Sequence, residues 1–573
     1  MSDFRFSPRP NRAGEIGWMP WGEDAFARAA AEDKPILLSI SAVWCHWCHV
    51  MDETSYSDAG VIETINRSYV PVRVDNDRRP DINARYNMGG WPTTAFLAPD
   101  GTTLTGATYL PPQQMRNALA EIARFYAERK DEIASRAAEF RARPPRATAS
   151  GDEPSDAPIA SLIELLRATF DEEYAGFGDA PKFPQPEVHE FLVAQWRLRG
   201  EPDLHDMAAR TMLAMTRGAM YDHVEGGFFR YSTTRDWSVP HFEKMAEDHA
   251  GLLRVLAALV TFAPTDELRA TLVSTLRYVR SVLYDAKTGF FAGSQDADES
   301  YFALPLEARR ERGAPYVDQT SYTNWTCALA GACCLSARAL DDDALLTLAQ
   351  RTLDNVHELL LDEDGLAHHV LQPGGAPEVR GLFADQVAYA RALLDAHEVS
   401  GEARFLDRAR TLCDVVIARF AAEGGAFYDR LGAQDALGRL ALTDRPIVDN
   451  GTFADVLLRL AALMGSADYR ERAAAILRFY SHASAAAGPF AATYARALQR
   501  YLAAEVTVRI SGSAAATDAF REAALRLPSP FVSIRTLAPE NETAIAYVCS
   551  GTTCGPPVRE PAAIRSAYDA LLP

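Results

Sequence analysis

Residues 36–51 read ILLSISAVWCHWCHVM. The first seven form an apolar run of strand length, and from Cys45 onward the text is that of a helix. Two cysteines, two residues apart, therefore stand where a strand hands over to a helix. A cysteine in the first helical turn faces unpaired backbone N–H groups and the positive end of the helix dipole. Both favour the thiolate, so Cys45 is expected to have a lowered pKa and to be the attacking sulfur. Cys48, one turn further in, is placed to resolve a mixed disulfide. His46 adds positive charge when protonated, which makes such a pair more oxidising, and Trp44 and Trp47 are placed to shield the sulfurs. Two other readings stay open. Cys45, Cys48 and His49 could clasp zinc, although no matching second pair follows nearby. Inert packing is the third.

The flanking segments extend the pattern. GEDAFARAAAEDK (22–34) reads as an amphipathic helix, YVPVRVD (69–75) as a second strand and WPTTAFLAPDG (91–101) as a third, with TTLTG as its hairpin partner. A long helix over 112–140 closes the unit. This β-α-β…β-β-α order suits a mixed sheet covered by helices. With CxxC at the strand-to-helix junction and Trp91-Pro92-Thr93 opening the next strand, residues 1–143 resemble the thioredoxin fold. That resemblance implies a cis-proline, Pro92, facing the dithiol beside Trp91. PWGEDAF, DKPILLSI, CHWCHVM, DNDRRPDI and GGWPTTAFLAPDG are similar, more specifically, to the thioredoxin-like (DUF255) domain of the spermatogenesis-associated protein 20/YyaL family. Six residues before the first cysteine, thioredoxins proper carry a buried carboxylate that accepts the resolving thiol's proton. Ser39 stands there instead.

At 573 residues the chain is too long for one core. A net charge of −19 argues against a nucleic-acid or anionic-membrane partner, since both need a basic face; a local basic patch stays open, although no Lys/Arg run appears. There is no apolar leader and no 18-residue apolar run, so the expected location is cytoplasmic. Eight cysteines make no disulfide framework. Cys327, Cys333, Cys334 and Cys413 lie in Ala/Leu-rich helical text and read as packing.

PPRATASGDEPSDAP (144–158) reads as a tether. Beyond it, over 159–502, amphipathic helices alternate with short connections (GEPD, APT, DDD, GE, GSA) and long ones that carry glycine, usually with an aromatic. The long-loop glycines are 176, 227, 289, 365, 425 and 488, with gaps of 51, 62, 76, 60 and 63. That near-period marks a repeat of two helices and one long loop. Twelve helices are expected, starting near 159, 187, 204, 243, 266, 321, 343, 383, 402, 452, 468 and 491. The first and last lack a hairpin partner and can pair with each other, which closes an (α/α)6 toroid; an open solenoid is the rival.

Closure would gather the long loops around the N-termini of the inner helices, a funnel suited to polar ligands. SVPHFEKMAEDHA (238–250) offers His241, Glu243 and Asp248, and GSQDADES (293–300) offers Asp296 and Asp298. Asn324, Trp325, Asp385, Asp449 and Asn450 occupy similar helix entries. Carboxylates and histidine for acid/base work, beside aromatic rings for stacking, suit a saccharide-like ligand. The same residue types are also ordinary helix caps and loop ties. PKFPQP, GAMYDHVEGGFFRYSTTRDWSVPHFEKM, SQDADE and GLFADQVAYARALL carry the family resemblance through this region, whose relatives look like six-hairpin glycosidases and N-acylglucosamine 2-epimerases. VDQTSYTNWT and VDNGTF depart from the family's WNG and PSGNS segments.

Residues 503–573 read as a small βαββα appendage, with Cys549 and Cys554 close in space as a packed pair or a labile disulfide. The expected whole is a thioredoxin-like α/β domain followed by an (α/α)6 toroid and this α/β appendage. Its function would be to bind or process a saccharide-like ligand, with a redox dithiol attached. A thiol–disulfide oxidoreductase acting on protein disulfides, or a non-catalytic redox-sensitive scaffold, are the alternatives; no cofactor beyond the dithiol is expected.

Overall fold

The computed structural model describes residues 5–142, 151–432, 436–537 and 543–571. The chain forms two compact units, Met1–Thr148 with Arg430–Asp444, and Ala149–Asp429 with Arg445–Pro573.

The first unit runs α1 (Glu23–Glu32), β1 (Ile36–Ser41), α2 (His46–Glu53), α3 (Ala59–Ser68), β2 (Val70–Asp75), α4 (Pro80–Tyr86), β3 (Thr93–Leu97), β4 (Thr103–Ala107), α5 (Pro112–Glu128) and α6 (Lys130–Ala142). The sheet order is β2-β1-β3-β4; β1 pairs parallel with β2 and antiparallel with β3. Every residue of β1 is buried because both faces are covered, which is why the strand reads as a continuous apolar run. Ile36, Leu38 and Ile40 enter one core with Phe26, Val72 and Tyr86. Leu37 enters the other with Met51, Ile65, Phe96 and Leu119. The Trp91–Pro92 bond is cis.

Two expectations change here. The single closing helix is two, broken at Arg129, where φ is −128° and ψ 26°. The unit is also discontinuous: 430–444, read from sequence as ring, belongs with it. Leu440 is in the first core, the Arg439 N–H donates to the Tyr86 hydroxyl at 2.7 Å, and Arg85 donates to the Leu442 carbonyl at 2.8 Å.

The second unit contains the twelve expected helices: α7 (Ala157–Thr169), α8 (Pro186–Arg199), α9 (Pro202–Arg217), α10 (Ala246–Phe262), α11 (Asp266–Tyr278), α12 (Thr323–Leu340), α13 (Asp343–Leu359), α14 (Phe383–Ser400), α15 (Ala403–Phe420), α16 (Ile447–Met464), α17 (Ala467–Tyr480) and α18 (Ala492–Leu502). The even-numbered helices touch in the order α8-α10-α12-α14-α16-α18, and α18 returns to α8. Each is backed by an odd-numbered one, α7 backing α18. The ring is closed, an (α/α)6 toroid, and the solenoid is excluded. The largest glycine gap is filled by two short helices, Glu299–Phe302 and Leu306–Arg312, inserted in one long loop.

Of the tether, 144–150 lies outside the described residues, and the part that follows is docked. Asp152 N–H donates to Ser481 Oγ at 2.9 Å and the Asp152 carboxylate meets His482. The appendage follows the expected βαββα order: β5 (Val506–Ser511), α19 (Ala514–Leu525), β6 (Val532–Leu537), β7 (Ile545–Ser550), a short β8 (Thr553–Cys554) and α20 (Ile564–Leu571). Cys549 and Cys554 face each other across β7 and β8 as a disulfide. Cys327, Cys333, Cys334 and Cys413 are buried, and burial pushes their thiols up, as packing residues require.

Inside the ring a layer of ion pairs ties the inner helices together. Glu190 of α8 accepts from Arg254 of α10, Arg391 of α14 and Arg496 of α18. Asp395 of α14 accepts from Arg254 at 2.6 Å and from Arg459 of α16 at 2.9 Å. Asp455 of α16 accepts from Arg496 and Arg500 of α18. On α12 the facing residue is Gly331; a Cβ there would lie 2.7 Å from Asp395 Oδ2.

Candidate functional sites at the dithiol and the ring mouth

Cys45 is the N-cap of α2, and its Sγ accepts the Cys48 N–H at 3.2 Å. The two cysteines are joined as a disulfide, Cα atoms 5.2 Å apart, and are 4% and 2% exposed. The sulfur therefore lies at the positive end of the helix, in contact with one of its free N–H groups. Trp44 is buried, donates to Asp77 Oδ2 at 2.6 Å and sets its ring edge against Trp91. Trp47 departs from the shielding expected of it: it is 48% exposed, beside the rings of His46 and Tyr109. Where thioredoxins carry a carboxylate, Ser39 is buried with the hydroxyls of Tyr56 and Thr94. Burial pushes the Tyr56 phenol up, so the cluster is uncharged. Among the described residues no three His, Cys, Asp or Glu side chains are arranged to hold a metal. Burial holds His49 below the ordinary imidazole range, against the pull of Asp52.

The mouth of the ring is built by repetition. The fourth residue of an inner helix ties down the preceding long loop. His249 accepts the Phe228 N–H at 3.0 Å; Gln386 exchanges two hydrogen bonds with Ala367, and Asn450 two with Phe427. Asn450 is thus spent on the backbone and is not available to a ligand as expected. Gly227, at φ 85°, passes so close to His249 that a Cβ would lie 2.9 Å from Nε2.

The second and third residues of these helices are the ones left over. They are Glu187 on α8, Glu247 and Asp248 on α10, Asn324 and Trp325 on α12, Asp385 on α14 and Asp449 on α16. Burial raises Glu187 and Glu247 although both touch solvent, as happens in a hollow walled by protein. Burial and the neighbouring Glu247, Glu187 and Glu243, outweighing Arg230, push Asp248 up to about 8. Burial, Asp429, Asp385 and Glu247 push Asp449 up to about 7. Acids on four helices thus act on one another, as convergence over one bowl requires. Asp248 Oδ2, Asn324 Oδ1, Asp385 Oδ2 and Glu243 Oε1 are buried without a hydrogen-bond partner. Asp385 Oδ1, by contrast, accepts from Asn324 N–H at 3.0 Å and pairs with His369 Nδ1 at 2.9 Å.

His241 Nδ1 meets Glu243 Oε2, and its ring stacks on Tyr231 with centroids 4.8 Å apart. Gln295 pairs with Lys244, which brings the next residue, Asp296, to the level of Glu243. Asp298 serves another purpose. It caps the short helix Glu299–Phe302 through the Tyr301 N–H and pairs with Arg312 at 2.9 Å, which is a structural use of its carboxylate. Glu187 and Glu247 were missed from sequence. Aligning the repeats on the first residue of each inner helix would have found them.

Asp248 gives a pH prediction. Its pKa is raised on folding, so the folded state holds its proton more tightly than the unfolded chain, and stability is lost as pH rises from about 4 towards 8. Asp248→Asn removes that loss. It is expected to stabilise the protein by on the order of 2 kcal/mol at pH 8 and by almost nothing at pH 4, read by urea unfolding at both. Equal effects at the two pH values would show that Asp248 ionises freely.

Fold and sites define a class: a thioredoxin-like α/β domain joined to an (α/α)6 six-hairpin toroid. Comparison with known proteins is consistent with this. Residues 9–143 match the family model Thioredox_DsbH, described as a protein of unknown function, DUF255. The chain is similar to spermatogenesis-associated protein 20 of Homo sapiens, 33% identical over 327 residues, which is 53% of this chain and 41% of that protein. It is also similar to an uncharacterized protein of Caenorhabditis elegans, 33% identical over 304 residues, 49% of this chain and 41% of that one. The motif resemblance is borne out, and the matched region spans about two-fifths of each relative's length. Among solved structures, the cellobiose 2-epimerase of Bacillus thermoamylovorans superposes at TM-score 0.47 and 12% identity, covering 56% of this chain and 85% of that one. No helix among the described residues is long and apolar enough to cross a membrane.

Proposed function

We propose that the toroid binds, and by acid/base chemistry processes, a saccharide-like ligand at the N-terminal ends of its inner helices. The observation that supports this is the set of buried, unpartnered oxygens on Asp248, Asn324 and Asp385 inside a bowl of acids with raised pKa values. Carboxylate and amide oxygens accept hydrogen bonds, and leaving them unmade costs about 1–3 kcal/mol each. A ligand rich in hydroxyls supplies the missing donors, and Trp325 offers a ring to stack on a sugar face. Asp248, still protonated at neutral pH, is the general-acid candidate; Asp449, near 7, is placed to give or take a proton.

A thermal-shift panel of mono- and disaccharides tests the reading. At least one sugar is expected to raise the melting temperature saturably, and Asp248→Asn to weaken that response about tenfold or more in Kd. A wild-type protein indifferent to the whole panel would sink the proposal.

A second activity is favoured by one contact, the Cys48 N–H on Cys45 Sγ at the start of α2. We propose that Cys45 and Cys48 cycle between dithiol and disulfide against a partner thiol or disulfide, in a cytoplasmic protein.

A further inference from the structure

The other end of the ring holds a second cavity, of about 180 Å³, entirely within the second unit. Arg197, Arg254, Arg338, Arg459, Arg496 and Arg500 line it. Against these six stand four carboxylates, Glu190, Asp395, Glu398 and Asp455, so the lining carries an excess of two positive charges in a chain whose net charge is −19.

The excess is localised. Arg254, Arg459 and Arg496 each bond two carboxylates. Arg500 gives only its Nε to Asp455, at 2.6 Å, and shares that acid with Arg496. Arg338 gives one Nη2 to the Leu525 carbonyl, and Arg197 reaches the carbonyls of Leu527, Pro528 and Ser529. Among the described residues neither Arg338 nor Arg197 bonds a carboxylate, and Arg338 and Arg500, both of which line the cavity, use only part of their N–H groups in hydrogen bonds.

The guanidinium groups are also held in place. Arg197 lies over the Phe262 ring at 3.4 Å and Arg500 over Phe531 at 4.5 Å. Pre-set planar forks suit tetrahedral oxyanions, because two N–H groups meet two oxygens at little entropic cost. The inner helices end on this face and bring partial negative charge to its rim. Arg197 and Arg338, in the last turns of α8 and α12, offset it there, while Arg254, Arg459 and Arg496 sit deeper. One wall of the cavity is the appendage segment 525–532, which gives that appendage a use: it roofs the pocket. Water occupies about 30 Å³ per molecule, so the space admits a phosphate-sized ion with a small organic group.

We propose that this cavity is a binding site for a phosphoryl dianion, either inorganic phosphate or the phosphate of a small monoester. It is separate from the acidic bowl, and neither site requires the other.

Titration calorimetry on the full chain at pH 7.5 and constant ionic strength, with inorganic phosphate and with glycerol 3-phosphate, is the test. Saturable binding of at least one is expected, with Kd raised about tenfold or more by Arg500→Met and by Arg338→Met. Tighter glycerol 3-phosphate identifies a monoester site, and tighter phosphate a free-ion site. No saturable binding of either by the wild type overturns the proposal, whatever the variants do. So does undiminished binding in both folded variants.

Discussion

Asp395→Ala is expected to cost the protein roughly 3–5 kcal/mol of stability. Asp395 is 2% exposed and joins two buried guanidiniums from neighbouring helices, Arg254 on α10 and Arg459 on α16. Ion pairs this deep are weak net stabilisers, since taking both charges from water costs about as much as their attraction returns. Removing one partner is different, because the others stay buried with less to bond. Arg254 would keep only Glu190, and Arg459 only Glu398. Relaxation into the space is limited on the α12 side, where Gly331 already brings backbone close to the carboxylate. Burial would raise the Asp395 pKa, but Arg254 and Arg459 outweigh it and hold the carboxyl below its usual range. A depressed carboxylate stabilises above its unfolded pKa, and the gain is lost as pH falls through the folded value. The difference between wild type and variant should therefore be full at pH 7 and shrink below about pH 4. Chemical denaturation at pH 7 and pH 3.5 reads both. A loss under 1 kcal/mol at pH 7 would mean that water or a side-chain shift compensates both arginines.

The same layer shows how far sequence could go. Helix positions and ring closure were legible because they follow from periodicity: the long-loop glycines recur and the apolar faces repeat every turn. Which carboxylates meet was less so. Asp248 and Asp449 stood out as acids at helix entries, yet Asn450, one residue on, looked equivalent, and only the register of its loop shows it bonded to Phe427. Asp298 reads from sequence as a cavity acid beside Asp296, but Arg312, from an inserted helix, pairs with it at 2.9 Å. The arginines of the ring axis sit singly in apolar text, as in GLLRVLAALV and VLLRLAAL, where a lone charge reads as an exception. Their partners lie on other helices, up to 306 residues away for Arg496 and Glu190. Residues 430–444 escaped for a similar reason, since Leu440 finds its core in Tyr86 and Leu97, far back in the chain.

Cys45→Ser should remove disulfide-reductase activity altogether, leaving an insulin-reduction rate equal to that of the dithiothreitol supplied as reductant. Cys45 Sγ is the sulfur that receives a helical N–H, so it is the one whose negative charge the helix start stabilises. In the proposed cycle the Cys45 thiolate attacks a substrate sulfur, forms a mixed disulfide and expels one substrate thiolate, which takes up a proton. Cys48 then attacks Cys45, closes the intramolecular disulfide and releases the second substrate thiol; dithiothreitol returns both cysteines to thiols. A serine hydroxyl at 45 is too weak a nucleophile to begin. Cys48→Ser leaves the first step intact and blocks the second, so it should accumulate the mixed disulfide, visible as a mass increase that dithiothreitol reverses. The two variants differ in kind, which separates chemistry from misfolding. Resolution should be the slow step in the wild type, because the groups gathered at Ser39, Tyr56 and Thr94 are hydroxyls with no carboxylate among them to accept the Cys48 proton. Ser39→Asp is accordingly expected to speed turnover, with the gain confined to pH values where the new carboxyl is ionised. A wild-type protein no faster than dithiothreitol alone, with Cys48→Ser trapping nothing, would make the pair a structural disulfide.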